Sequence, residues 1–305
     1  MIESSTRQRS PGGPLAWFTA DPHARSAPRR ETPRSADDLV RPEWGSGSGD
    51  DPPGSAWCRD RKRSAVRCGG HNAIVDPNNE IIVALDYGNG PTAEDLVDRL
   101  GDECRFYKVG LELLTAAGPD FVRHLVSRGK EVFLDLKLFE IPNSVAGAVR
   151  AAGALGVSMV TVHSMGGTGI MAAAVDAARD FPDLRILALT VVTSMTDEDL
   201  ADIGVSDSTE EQVLRLARLA GKAGCHGVIA SPQDVSALRG TLGSNALIVT
   251  CGVALPGGTP FDHARPGTPR AALAAGASHV VVGRTVTRAQ DPAAALRLVH
   301  AGLVV

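Results

Sequence analysis

Residues 73–305 predict an α/β fold, a (β/α)8 barrel, and three observations carry that expectation. Eight short apolar runs alternate with stretches rich in Ala and Leu. Each run is nearly continuous in its apolar character, as parallel strands buried on both faces are. Polar and ionisable residues collect where the runs end, at the C-terminal edge on which barrels of this kind carry their sites.

The first strand is expected over Ile81–Leu85. Thr92 and Asp95 then resemble a capping box ahead of a helix running to Leu100. Phe106–Val109 reads as strand two, Pro119–Ser127 as the helix behind it and Val132–Leu136 as strand three. Asn143 or Ser144 opens a helix through Arg150; Ser158–Val162 is strand four, with Ala172–Ala178 helical after it. Arg185–Thr190, the amphipathic helix Glu210–Ala220 and Gly227–Ala230 continue the alternation, and Ala246–Val249 and Ser278–Val282 complete it. Gly129, Gly156, Gly224 and Gly276 each stand just before a strand, as helix-stop residues do. About 225 residues is slightly under the usual size for eight such units. The competing fold, a doubly wound sheet, needs a switch point that these regular units do not suggest.

Residues 1–72 have another texture, with 8 Pro, 8 Gly and 9 Ser and no apolar run longer than a few residues. Such a segment buries too little to offset its ordering entropy, so a low-complexity, disordered extension is expected. It nevertheless holds all three Trp residues, Trp17, Trp44 and Trp57, which leaves open that part of it packs on the body or on a partner. It carries 12 Lys or Arg against 9 Asp or Glu, leaving 19 against 26 on the rest of the chain. That charge is too mild to predict a nucleic-acid partner. Neither a secretory signal nor a membrane span is expected, since no apolar stretch follows Met1. Five cysteines without CxxC spacing predict no disulfide framework and no zinc site, and with them a reducing, cytoplasmic compartment. Removing residues 1–72 is expected to change barrel stability and activity little.

The densest chemistry lies in Phe133-Leu134-Asp135-Leu136-Lys137-Leu138-Phe139-Glu140-Ile141-Pro142-Asn143-Ser144. Asp135 and Lys137, two apart, share one side of a strand with Phe133, where charges are costly unless paired. Asp86 closes strand one, Lys108 stands late in strand two, His163 ends strand four, and Thr193 and Ser194 follow strand five. One carboxylate at a strand end is commonly a turn residue, and the charged set alone also fits a buried ion-pair network. The convergence of so many groups is better explained by a site, in which Lys108, Asp135, Lys137 and Glu140 could stabilise a carbanion or deliver a proton to it. The loop Cys251–Gly258 carries Gly252, Gly257 and Gly258, and Gly283-Arg284 follows strand eight. Exposed backbone N–H groups beside a forked, permanently charged arginine predict a phosphate site; the glycines alone would fit a plain turn.

These residues resemble those of the orotidine 5'-phosphate decarboxylase family. The family's signature is Asp-x-Lys-x-x-Asp followed by Ile-Pro-Asn-Thr, and here it reads Asp135, Lys137, Glu140 and Ile141-Pro142-Asn143-Ser144. Val83-Ala84-Leu85-Asp86, Lys108-Val109-Gly110, Thr161-Val162-His163, Val192-Thr193-Ser194-Met195 and Val281-Val282-Gly283-Arg284 support it, and the likeness spans about Ile81 to Val304. It implies decarboxylation of a pyrimidine nucleoside 5'-monophosphate, orotidine 5'-monophosphate, to uridine 5'-monophosphate with no metal and no cofactor. It also implies that Asp135 adjoins the departing carboxylate and that Lys137 protonates C6. Lys108 and Asp86 would hold ribose hydroxyls, Ser194 the pyrimidine and Arg284 the phosphate. His163 and Ser144 join the substrate-side candidates, and the family's dimer would bring Glu140 into the partner's site.

The match departs from the family in three main places and at His263. Glu140 stands where the family has Asp, Ser144 where it has Thr, and Cys251-Gly252-Val253-Ala254-Leu255-Pro256 where Pro-Gly-Ile-Arg-Pro is usual. His263 replaces a glutamine and fits either a phosphate donor or a surface residue. Besides the decarboxylase, these departures admit an enzyme acting on a related pyrimidine nucleotide, or a nucleotide-binding protein without turnover.

Overall fold

Eight parallel strands pair in sequence order and close, with the eighth hydrogen-bonded back to the first. The computed structural model describes residues 80–254 and 263–304. The expectations for residues 1–72, Gly257 and Gly258 therefore lie outside the described residues. The strands are β1 Ile81–Ala84, β2 Phe106–Gly110, β3 Glu131–Leu138, β4 Met159–His163, β5 Arg185–Leu189, β6 Gly227–Ala230, β7 Leu247–Thr250 and β8 His279–Val282. Between and after them run α1 Gly90–Leu100, α2 Leu111–Ser127, α3 Pro142–Ala154, α4 Gly167–Ala178, α5 Asp197–Asp202, α6 Thr209–Lys222, α7 Val235–Leu242, α8 Pro269–Ala274, α9 Arg284–Thr287 and α10 Pro292–Val304. Every expected strand is present, and the closed order excludes the doubly wound alternative.

Side-chain alternation along the strands sorts the apolar residues into two cores. Ile82, Ala84, Phe106, Phe133, Met159, Leu187, Leu189, Ile229, Val249 and Val281 pack together inside the barrel. Their neighbours, among them Ile81, Val83, Tyr107, Leu134, Val160, Ile186 and Val228, pack outward beneath the helices. Burial on both faces is why the strands read as unbroken apolar runs.

Three helix starts differ from the expectation by more than a residue: α4 begins at Gly167 rather than Ala172, and the other two have a local cause. Helix α1 begins two residues before Thr92: Asn89 is its N-cap and accepts the Thr92 N–H at 2.9 Å, while Pro91 supplies a first-turn φ that suits a helix. Helix α2 begins at Leu111 and is broken at Gly118, whose φ of 73° and ψ of 179° precede Pro119, so only its second half was legible. Gly129, Gly156, Gly224 and Gly276 all adopt positive φ ahead of the next strand, as expected of helix stops.

Strand β3 is longer than expected and irregular. Leu134 pairs with Val160 and Leu138 with Val162, so four residues of β3 are passed against two of β4. The extra length is a bulge containing Lys137, whose φ of 50° makes it the one non-glycine with positive φ among the described residues.

Candidate active site

Stepping two residues beyond the inner core reaches the barrel mouth, where polar groups replace apolar ones. Ala84 leads to Asp86, Phe106 to Lys108, Phe133 to Asp135, Met159 to Thr161, Val249 to Cys251 and Val281 to Gly283. A cavity of about 630 Å³ opens there, lined by Asp86, Lys108, Asp135 and Lys137 on one side and by Gly252, His263, Gly283 and Arg284 on the other. Thr193 and Ser194 line it between them. A volume of this size suits a nucleotide-sized ligand.

Asp135 is the hub of the charged side. The Lys137 Nζ donates to its Oδ2 at 2.8 Å, and the Lys108 Nζ lies 3.8 Å from that same oxygen. Its other oxygen, Oδ1, accepts the Thr161 hydroxyl at 2.9 Å. Lys108 also donates to Asp86 Oδ1 at 2.9 Å, which produces a row of alternating charge. Burial alone would depress Lys108, but Asp86 and Asp135 outweigh it and hold the ammonium above its ordinary range. Burial, reinforced by Asp135, pushes the Cys251 thiol up to about 12, so this cavity-lining sulfur stays a neutral thiol.

The opposite end is built from loops. Gly252 has a φ of 85°, and a Cβ there would meet the His263 ring at 2.9 Å, so only glycine lets these two segments touch. His263 Nδ1 and Thr193 Oγ1 are hydrogen-bonded at 2.8 Å, and the Ala264 N–H donates to the Thr193 carbonyl at 3.0 Å. The Arg265 Nη1 donates to the Met195 carbonyl at 2.9 Å. The loop carrying Ser194 is thereby joined to the segment that carries His263.

Three candidates from the sequence stand outside this cavity in the single chain. Glu140 is exposed, and the Ser144 hydroxyl, with help from the Ile141 N–H, holds its carboxylate below the usual range. Ser144 is exposed in the first turn of α3. His163 turns toward a smaller apolar hollow with Phe139, Met165, Met195, Leu200 and Ile203, and its Nδ1 accepts the Met165 N–H at 3.3 Å. The position at the end of β4 is right for a mouth residue, but the imidazole is taken up by that turn. Gly258 lies outside the described residues.

The family model for the orotidine 5'-phosphate decarboxylase / HUMPS family matches residues 79–299. The chain belongs to that family. Orotidine 5'-phosphate decarboxylase of Hydrogenovibrio crunogenus is 43% identical over 233 residues, covering 76% of this chain and 99% of the relative. That of Moorella thermoacetica is 46% identical over 230 residues, covering 73% and 91%. Among solved structures, orotidine 5'-phosphate decarboxylase from Lactobacillus acidophilus superposes with a TM-score of 0.67 at 35% identity, covering 74% of this chain and all of the other.

The family likeness makes the residues that the sequence reading missed more informative. Tyr87, Glu112 and Arg288 line the cavity, and Tyr87 donates its hydroxyl to the Thr287 carbonyl at 3.0 Å. Their position could have been suspected only from their nearness to Asp86, Gly110 and Arg284 in sequence. Thr161 was marked only as part of a supporting match, and its contact with Asp135 is harder still to foresee, because an apolar strand hides one inward hydroxyl among valines.

Proposed function

We propose that this barrel decarboxylates orotidine 5'-monophosphate to uridine 5'-monophosphate, without metal or organic cofactor. The observation that carries the reading is Asp135, held between two lysines and a hydroxyl, with the Lys137 ammonium 2.8 Å from its carboxylate. With the pyrimidine in the mouth of the barrel, the substrate carboxylate on C6 lies against Asp135. Two like charges in a poorly solvated site repel, and that repulsion disappears as the C6–carboxylate bond breaks and carbon dioxide leaves. The electron pair stays on C6 and takes a proton from the Lys137 ammonium, which is afterwards restored from water.

Lys108 and Asp86 hold ribose hydroxyls, Ser194 reads the pyrimidine, and Arg284 with Gly283, Gly252 and His263 grips the phosphate. Gly258 belongs by sequence to the same phosphate loop. Contacts made at the phosphate, far from the reacting carbon, supply binding energy for the unfavourable approach of the two carboxylates.

The working enzyme is proposed to be a cytoplasmic homodimer in which Glu140 completes the partner's site. Phe139 and Ile141 flank Glu140 and are each 61% exposed in the single chain, which suits an apolar surface covered by a second copy. Glu140 carries one methylene more than the family's Asp, moving its carboxylate by roughly 1.5 Å against a tolerance of about 0.5 Å in a preorganised site. That difference, with Cys251 and Ala254 in the phosphate loop, favours as second reading a related pyrimidine nucleotide as substrate.

Purified protein incubated with orotidine 5'-monophosphate decides between them through the loss of orotate absorbance. Turnover that falls on the order of a thousandfold in Lys137→Ala is expected, with uridine 5'-monophosphate still bound. Tight binding of that product with no turnover by the unmodified chain would sink the decarboxylase reading.

A further inference from the structure

We propose that Thr161 is a positioning residue for the reacting pair, its single hydroxyl fixing both the Asp135 carboxylate and the bulged backbone that carries Lys137. The role rests on the decarboxylase reading for its kinetic consequence, though not for its geometry. Thr161 lies on β4, is 0% exposed and points toward the barrel mouth. Its Oγ1 donates to Asp135 Oδ1 at 2.9 Å and accepts the Lys137 backbone N–H at 2.8 Å. Both directions are dictated by chemistry: a backbone amide can only donate, and an ionised carboxylate can only accept.

The two contacts do separate things. Lys108 and Lys137 both act on Oδ2 of Asp135, so neither fixes the plane of the carboxylate. The hydroxyl on Oδ1 does, and it blocks rotation about the bond to the carboxyl group. In the other contact, the bulge removes the Lys137 N–H from the ladder between β3 and β4. Regular pairing from Phe133 with Met159 and Leu134 with Val160 would have continued to Asp135 opposite Thr161. The chain instead diverts, Lys137 takes its positive φ, and the displaced N–H finds the Thr161 side chain. A left-handed lysine persists only where its surroundings over-determine it.

Thr161→Val keeps the shape and deletes the hydroxyl. It is expected to lower kcat about 10- to 100-fold, in line with displacement of a reacting group by up to about 1 Å. Affinity for uridine 5'-monophosphate, measured by calorimetry, is expected to stay within about threefold, because the ribose and phosphate contacts are untouched. Thr161→Ser restores the oxygen and is expected to recover kcat to within about threefold of the parent. A merely structural residue would lower affinity and turnover together and would show no such rescue. The proposal is overturned if Thr161→Val keeps kcat within that margin, or if the serine variant falls as far as the valine.

If the valine chain does not fold, Thr161→Cys, similar in size but a weak sulfur partner, takes its place with the same expected split. A parent chain that binds the nucleotide without turnover defeats the activity reading, and the crystal structure of the valine variant then decides. Lys137 leaving the left-handed region, or Asp135 turning its carboxylate, supports the role; both unmoved from the parent overturns it.

Discussion

Asp135 gains its chemical character from its neighbours. A carboxylate about 4 Å from a second carboxylate meets a repulsion of about 4 kcal/mol at the effective dielectric typical of such sites. Without Lys108 and Lys137 that repulsion would be relieved by protonation or by the side chain swinging away. Lys108 is stabilised as an ammonium by Asp86 and Asp135 despite its burial, so this cation persists between the two carboxylates. Gly252 plays the complementary part at the end proposed to hold the phosphate, where left-handed backbone and contact with His263 coincide. Gly252→Ala would introduce strain of about 1–3 kcal/mol and push the histidine from its Thr193 partner. The expected outcome is a KM raised on the order of tenfold, with kcat at saturation changed much less. An unchanged KM together with a lowered melting temperature would leave the loop a scaffold only.

At the level of elements, the strands were legible to within about two residues because burial on both faces leaves few polar interruptions. Helices were less so, since punctuation such as Asn89-Gly90-Pro91 and Gly118-Pro119 resets the apolar period just where it must be read. Strand β3 is the instructive case: a straight strand also puts Asp135 and Lys137 on one side, and the structure reaches that result through a bulge whose sequence signal is nil. The sequence therefore singled out Asp135 and Lys137, the pair proposed to react, but named Thr161 only within a supporting match and gave no sign of the hydrogen bonds that join it to both. Strand β8 carries a different device. Its first residue, His279, packs edge-on to Phe106, and burial pushes the imidazole from 6.5 to about 4. Between those values the unfolded chain binds a proton that the folded one does not, so stability is complete above the unfolded value and is lost as pH falls toward 4. The displacement corresponds to about 3 kcal/mol. Urea unfolding at pH 7 and pH 4.5 should show most of that loss in the parent and a correspondingly smaller loss in His279→Gln; identical losses would remove His279 as the cause.

Across the whole molecule, the cavity gathers most of the sequence-marked residues and leaves out Glu140, Ser144 and His163. A monomer's barrel mouth can converge only what its own strand ends and loops reach, so spacing along β3 could not say that Glu140 points away from the cavity beside it. Glu140 follows the exposed Phe139, precedes the exposed Ile141 and leans on Ser144 at the start of α3. A symmetric dimer through this face would exchange the two glutamates, each chain supplying the acid for the other's lysine. That arrangement has a consequence no self-contained site shares. Lys137→Ala and Glu140→Ala chains should each be nearly inactive alone. Mixed after dissociation and reassociation, they form hybrids in which one site has lost both residues and the other has neither loss. With random reassortment half the dimers are hybrid and half their sites intact, so roughly a quarter of parental activity should return. Hybrid dimers isolated by a different tag on each chain, yet without recovered turnover, would mean that each site is complete within one chain and that Glu140 acts on its own.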